Sequence, residues 1–218
     1  MRVRWACPAL CAAMAAAAFL VLTGLVATGA THAIDVGLLA RLRPGDEWGP
    51  TQVRFSPWMS RLQPSHMFGL LTIVTAVAVT LRRSWRPLVS GVLVGVSTVA
   101  LTTLVKLALE RPDPHGSVPG SGGSFPSGHM AAVVACLAGC VVVLHPRMRW
   151  WHWVPASAGA ATIGFAQLVS AAHWPSDLAG GALLALVVVC ATRRVDPGHP
   201  SRSVTRDIPR GALPGFRP

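Results

Sequence analysis

The chain has 218 residues, 52% of them hydrophobic and only 12% charged, and a formal net charge of +11. A soluble domain carries about 25% charged residues, so the composition excludes an ordinary water-soluble globule and reads as a polytopic, all-α membrane bundle. The positive charge does not point to nucleic acid: no RNA- or DNA-binding motif accompanies it, and arginines at membrane borders serve topology.

Met1–Arg4 is basic and 5–30 is a nearly unbroken apolar run. It exceeds the 7–15-residue core of a secretory signal, so a retained first transmembrane helix is the expectation, with a cleaved signal peptide as the alternative. Residues 31–65 form an extracytoplasmic loop with four prolines, in which 36–42 predicts a short amphipathic helix on the membrane surface. Trp48 and Trp58 suit an interfacial belt.

Residues 66–194 then hold five more apolar segments: 66–81, 87–109 with a Gly91/Gly95 small-residue face, 128–144, 153–172 and 178–192. Three of these fall short of the ~20 residues that span a bilayer. The tail 195–218, rich in Arg, Pro, Ser and Gly, is expected to be disordered and cytoplasmic. Of the five cysteines, Cys7/Cys11 and Cys136/Cys140 are each four apart, which places each pair on one helix face as small apolar packing residues.

Six spans can be oriented by their basic residues. With the N-terminus inside, thirteen arginines fall on the cytoplasmic side, against six basic residues, Lys106 included, on the other. The positive-inside rule then predicts N-in, C-in topology.

That orientation gathers three clusters on the outer face: Lys106 with Glu110-Arg111-Pro112-Asp113-Pro114-His115, then Pro126-Ser127-Gly128-His129, then His173-Trp174-Pro175-Ser176-Asp177. Each has a bland explanation. Lys106 can snorkel to the interface, Ser127 can serve only as a helix N-cap, and Asp177 can be a favourable charge in a first helical turn. Their convergence favours phosphoryl chemistry. A histidine can attack phosphorus when a carboxylate fixes its tautomer and supports the developing charge, and His173 with Asp177 has that spacing. His129 on another helix can protonate the leaving oxygen. Ser127, the opening N–H groups of its helix and Lys106 can hold the phosphate oxygens.

The order Lys…Arg-Pro, Pro-Ser-Gly-His, His-x-x-x-Asp resembles the type 2 phosphatidic acid phosphatases, membrane relatives of vanadium haloperoxidases. The resemblance spans the third to sixth segments and implies metal-independent hydrolysis of a lipid phosphate or polyprenyl (di)phosphate through a phosphohistidine, with no cofactor. It implies His173 as nucleophile, Asp177 as its partner, His129 as general acid, and Lys106, Ser127 and Gly128 as phosphate ligands. Two positions depart from the pattern. The arginine expected before proline in the first motif falls on Asp113, with Arg111-Pro112 two residues early, and the Ser-Arg expected ahead of His173 is Ala166-Gln167. Arg111 and Gln167 are the candidate substitutes for the missing clamp.

Three other readings compete. A degenerate relative would bind a lipid head group or a partner without turnover. A cation site would use Asp113, His115, His129, His173 and Asp177, although no metal-ligand spacing supports it. A transporter would place its polar residues near mid-membrane, whereas here they gather at one face.

Overall fold

A computed structural model describes residues 8–118, 120, 122–144 and 150–195. The regular structure described is helical throughout: α1 (Pro8–Ala27), α2 (His32–Leu42), α3 (Pro50–Phe55), α4 (Pro57–Arg61), α5 (Pro64–Arg82), α6 (Arg86–Leu109), α7 (Gly128–Leu144), α8 (Val154–Val169) and α9 (Pro175–Val195), with 3₁₀ turns at Pro44–Asp46 and Trp150–Trp153. Helices α1, α5, α6 and α9 are long and apolar enough to cross a membrane, while α7 and α8 are shorter apolar helices of 17 and 16 residues. At 1.5 Å per residue α7 is about 25 Å long, under the ~30 Å of a bilayer core.

The shortness of α7 goes with its position. It packs against α5, α6, α8 and α9 and buries residues around its whole circumference, Ala131, Val133, Ala135 and Cys136 completely. A helix apolar on all sides is a buried helix, and α7 is the axis of the bundle. The expected Gly91/Gly95 face is where α6 meets α5: Thr75 closes on Gly91 and Phe68 on Gly95. Helix α1 runs along α9, with Phe19 stacked on Phe125 at 6.1 Å. Cys136 and Cys140 share the packed face of α7, whereas Cys7, the arginines at 147 and 149 and the tail beyond 195 lie outside the described residues.

Between α1 and α5 the segment 31–65 is helical over much of its length. Pro44, Pro50, Pro57 and Pro64 each stand in the first turn of a helix, where a missing N–H costs nothing and a φ near −65° is already helical. The short helix expected at 36–42 is the second half of α2, which buries Asp35 and Leu39 against the bundle. Helices α3 and α4 pack on α8, Phe55 edge-on to Phe165.

Two adjacent glycines let α9 approach α7. A Cβ on Gly181 would stand 2.5 Å from the Ser127 carbonyl oxygen and 3.1 Å from the Met130 Cβ, and one on Gly180 would enter the Phe125 ring. Backbone cannot yield as a flexible side chain can, and overpacking costs about 1–3 kcal/mol, against up to ~1 kcal/mol gained in helix propensity. Gly181→Ala is therefore expected to lower the thermal midpoint in detergent and to push apart the opening turns of α7 and α9.

Candidate active site

Three backbone junctions bring the clusters together. At the end of α6 the Lys106 carbonyl accepts N–H bonds from Glu110 and Gly123, and Ser124 N–H donates to Arg111 O at 2.7 Å. Gly123 lies so close to Glu110 and Arg111 that a Cβ would overlap their backbone. Trp174 Nε1 donates to Pro112 O at 2.9 Å. Ser127 N–H donates to the Asp177 carbonyl at 3.0 Å, tying the start of α7 directly to the first turn of α9.

On this frame, Asp177 is wholly buried. Its Oδ2 accepts the Trp174 N–H at 3.1 Å and faces His173 Nδ1 at 3.3 Å. The first contact is half of a capping box, so the bland reading of Asp177 as a first-turn residue holds as well. The second places the proton of a neutral imidazole on Nδ1, toward the carboxylate, and leaves Nε2 with its lone pair. His129 lies within electrostatic reach of both His173 and Lys106, and Lys106 within reach of Asp177. Lys106 Nζ donates to the Gly123 carbonyl at 2.6 Å, which fixes its ammonium beside the turn into α7. Lys106, Ser127, Gly128, His129, His173 and Asp177 are thus assembled.

The two candidate clamp substitutes have other partners. Arg111 donates through Nη1 to Asp177 Oδ1 and Ser176 Oγ and through Nη2 to Asp35 Oδ2, each at 2.7 Å, with its guanidinium 5.4 Å from the Trp174 ring centroid. Gln167, fully buried, accepts the Ser127 hydroxyl at 2.6 Å and donates to Ile163 O at 3.3 Å. Ser127 Oγ in turn accepts Met130 N–H at 3.3 Å, the geometry of an N-cap. The amides of Gly128 and His129 are the first two of α7 and have no helical acceptor, so they are the donors the turn offers an anion. Asp113 accepts backbone N–H bonds from His115 and Ser117, both at 2.9 Å, and organises a turn of its own.

One residue escaped the sequence reading. Asp35 of α2 is 1% exposed, and its Oδ1 accepts Ser176 N–H at 2.9 Å while Oδ2 accepts Ser176 Oγ at 2.6 Å and Arg111. Burial pushes its carboxyl up, but hydrogen bonds from Ser176 and Arg111 outweigh that and hold it below the ordinary carboxylate value. It is therefore ionised through the neutral range. A signal was present: Asp35 is the first acidic residue in the chain, isolated in a stretch of apolar and basic residues.

The family model described as the PAP2 superfamily matches residues 87–199, over half of the chain. This protein belongs to the PAP2 superfamily. The matched region of this PAP2 protein carries all three clusters, and Asp35 lies before it. No curated protein sequence matches it. Among solved structures it is similar to the first transmembrane PAP2-type phosphatidylglycerolphosphate phosphatase crystallised from Bacillus subtilis. The TM-score is 0.72 at 20% identity, covering 85% of this chain and 95% of that one. At that identity the likeness speaks for the fold: an all-helical transmembrane PAP2 bundle. Family and fold together make this a multi-pass membrane protein of the lipid-phosphatase kind.

Proposed function

We propose that this PAP2 protein hydrolyses the terminal phosphate of a membrane lipid phosphate or polyprenyl (di)phosphate through a phosphohistidine, without a metal, on the extracytoplasmic face of the cell membrane. The observation that carries the reading is the His173–Asp177 pair held beside the opening turn of α7, with His129 and Lys106 in electrostatic reach.

In the first step Nε2 of His173 attacks the terminal phosphorus, its P–O bond to the rest of the lipid breaks, and His129 delivers a proton to the leaving oxygen, that of an alcohol from a phosphomonoester or of a polyprenyl phosphate from a diphosphate. Asp177 supports the positive charge that grows on the imidazole. In the second step water, losing its proton to His129, attacks the phosphohistidine and releases inorganic phosphate. The amides of Gly128 and His129 with the Lys106 ammonium hold the phosphoryl oxygens, and Ser127 shapes that turn from within the bundle. The arginine bias of the connecting segments supports the outer face as the side of the chemistry.

Phosphatidate, phosphatidylglycerophosphate and polyprenyl diphosphate all carry a terminal phosphate next to the bilayer. Phosphate release from each, measured in mixed micelles with EDTA present, tests the reading. Release that survives EDTA and is absent from the His173→Ala protein supports it, whereas release equal in both proteins removes it.

A second reading, binding without turnover, is favoured by one observation. Arg111 is committed to two carboxylates, which leaves Lys106, among the described residues, as the site's formal cation for the phosphate. Tight vesicle binding with no release from any of the three lipids would select it.

A further inference from the structure

The third motif is held from outside the matched family region. Asp35, Arg111 and Asp177 form a continuous chain of ion pairs, Arg111 bridging the two carboxylates at 2.7 Å each, with Asp35 1% and Asp177 0% exposed. Asp35 also receives the N–H and the hydroxyl of Ser176, so a carboxylate from α2 caps the first turn of α9, where helix amides lack acceptors. The trio carries one net negative charge, the same as Asp177 alone. Without Asp35 that charge is zero, because Arg111 cancels Asp177.

The geometry points to Asp35 as a positioning residue for the reaction: through Arg111 and Ser176 it sets the orientation and the effective charge of Asp177, and hence the nucleophilicity of His173. This rests on the phosphohistidine reading above. The arginine of this chain's first motif is thereby a support for the histidine's carboxylate, and α2 is part of the catalytic architecture.

Among the described residues, the charged and titratable groups around His173 are Asp177 on α9, His129 on α7, Lys106 on α6, Arg111 in the segment after α6, and Asp35 and His32 on α2, the His32 ring lying 5.7 Å edge-on to Trp174. Among these, Asp35→Asn changes one charge and little volume. With the trio neutral, the hydrogen bond between His173 Nδ1 and Asp177 Oδ2 has less negative charge behind it. The phosphohistidine transition state loses the same support.

The full-length protein in detergent, as wild type, Asp35→Asn and Asp35→Glu, decides the matter by two measurements. The first is kcat and KM for phosphate release from whichever lipid the wild type hydrolyses. The second is the Nδ1–H resonance of His173 in NMR of ring-labelled histidine, identified by its loss in His173→Asn, which reports the bond to Asp177 and needs no turnover. For Asp35→Asn the expected result is a kcat about tenfold lower with KM within about twofold. The Nδ1–H resonance should move upfield as its hydrogen bond weakens, and Asp35→Glu should recover part of each change. An unmoved His173 resonance overturns the inference, as does a drop in kcat that merely matches a loss of folded protein in the thermal melt. If the wild type releases phosphate from no lipid, the phosphatase reading fails by itself, and the His173 resonance still decides whether Asp35 governs His173.

Discussion

Replacing His173 with alanine is expected to reduce phosphate release by at least about 10⁴-fold, the largest effect of any single change in this chain. The loss reflects the groups that remain: His129 is placed to move a proton, Lys106 and the α7 amides to hold oxygens, and Ser127 has its hydroxyl donated to Gln167. In the proposed mechanism none of these attacks phosphorus. The fold should survive, because Asp177 keeps its bonds to the Trp174 amide and to Arg111. Lipid binding should therefore persist while turnover and the acid-labile phosphorylated species disappear together. A residual rate within tenfold of wild type would mean that another group performs the attack.

Gln167→Arg is expected to act in the opposite direction and raise the rate by roughly 10²-fold, the worth of one added transition-state donor. Gln167 Oε1 stands 2.6 Å from Ser127 Oγ. An arginine, two bonds longer, would carry its guanidinium past Ser127 toward the amides that open α7. The change loses a hydrogen bond worth about 1 kcal/mol and buries a charge, which is costly until an anion pairs with it. The variant should therefore melt at a lower temperature than wild type and recover when inorganic phosphate is added. Asp113→Arg is expected to bring no such gain, because the Asp113 carboxylate accepts two backbone amides in its own turn and its removal loosens the segment between α6 and α7. A Gln167→Arg protein no faster than wild type, and indifferent to phosphate in the melt, would show that the clamp does not limit this site.

The apolar segments were legible because hydropathy over twenty residues is a strong signal: 66–81, 87–109 and 128–144 lie within about two residues of α5, α6 and α7. The assembly of His173, Asp177, Ser127, Gly128 and Lys106 was legible as well, since fixed spacings on helix ends survive translation into three dimensions. The helical character of 44–64 was not. A proline marks a chain break and a helix start with the same letter, and only the packing of the next few residues against the bundle decides between them. The use of Arg111 was also hidden. Its reach is settled by two carboxylates 76 and 66 residues away, and no local pattern carries that. Gln167 shows the same limit: its partner is 40 residues distant, so the sequence could mark the missing cation but not what the amide does instead.

The bond from Ser176 N–H to Asp35 joins residues 141 positions apart, and α9, which carries Asp177, packs on α1 at the other end of the chain. Closing a loop of that length carries an entropic cost that is repaid only when both ends dock. Asp35 on α2 therefore finds Ser176 only after the start of α9 has been made, and a chain cut before α9 lacks Asp177 and leaves Asp35 without that partner. The proposed site is in this sense a late product of assembly, drawn from both ends of the described residues.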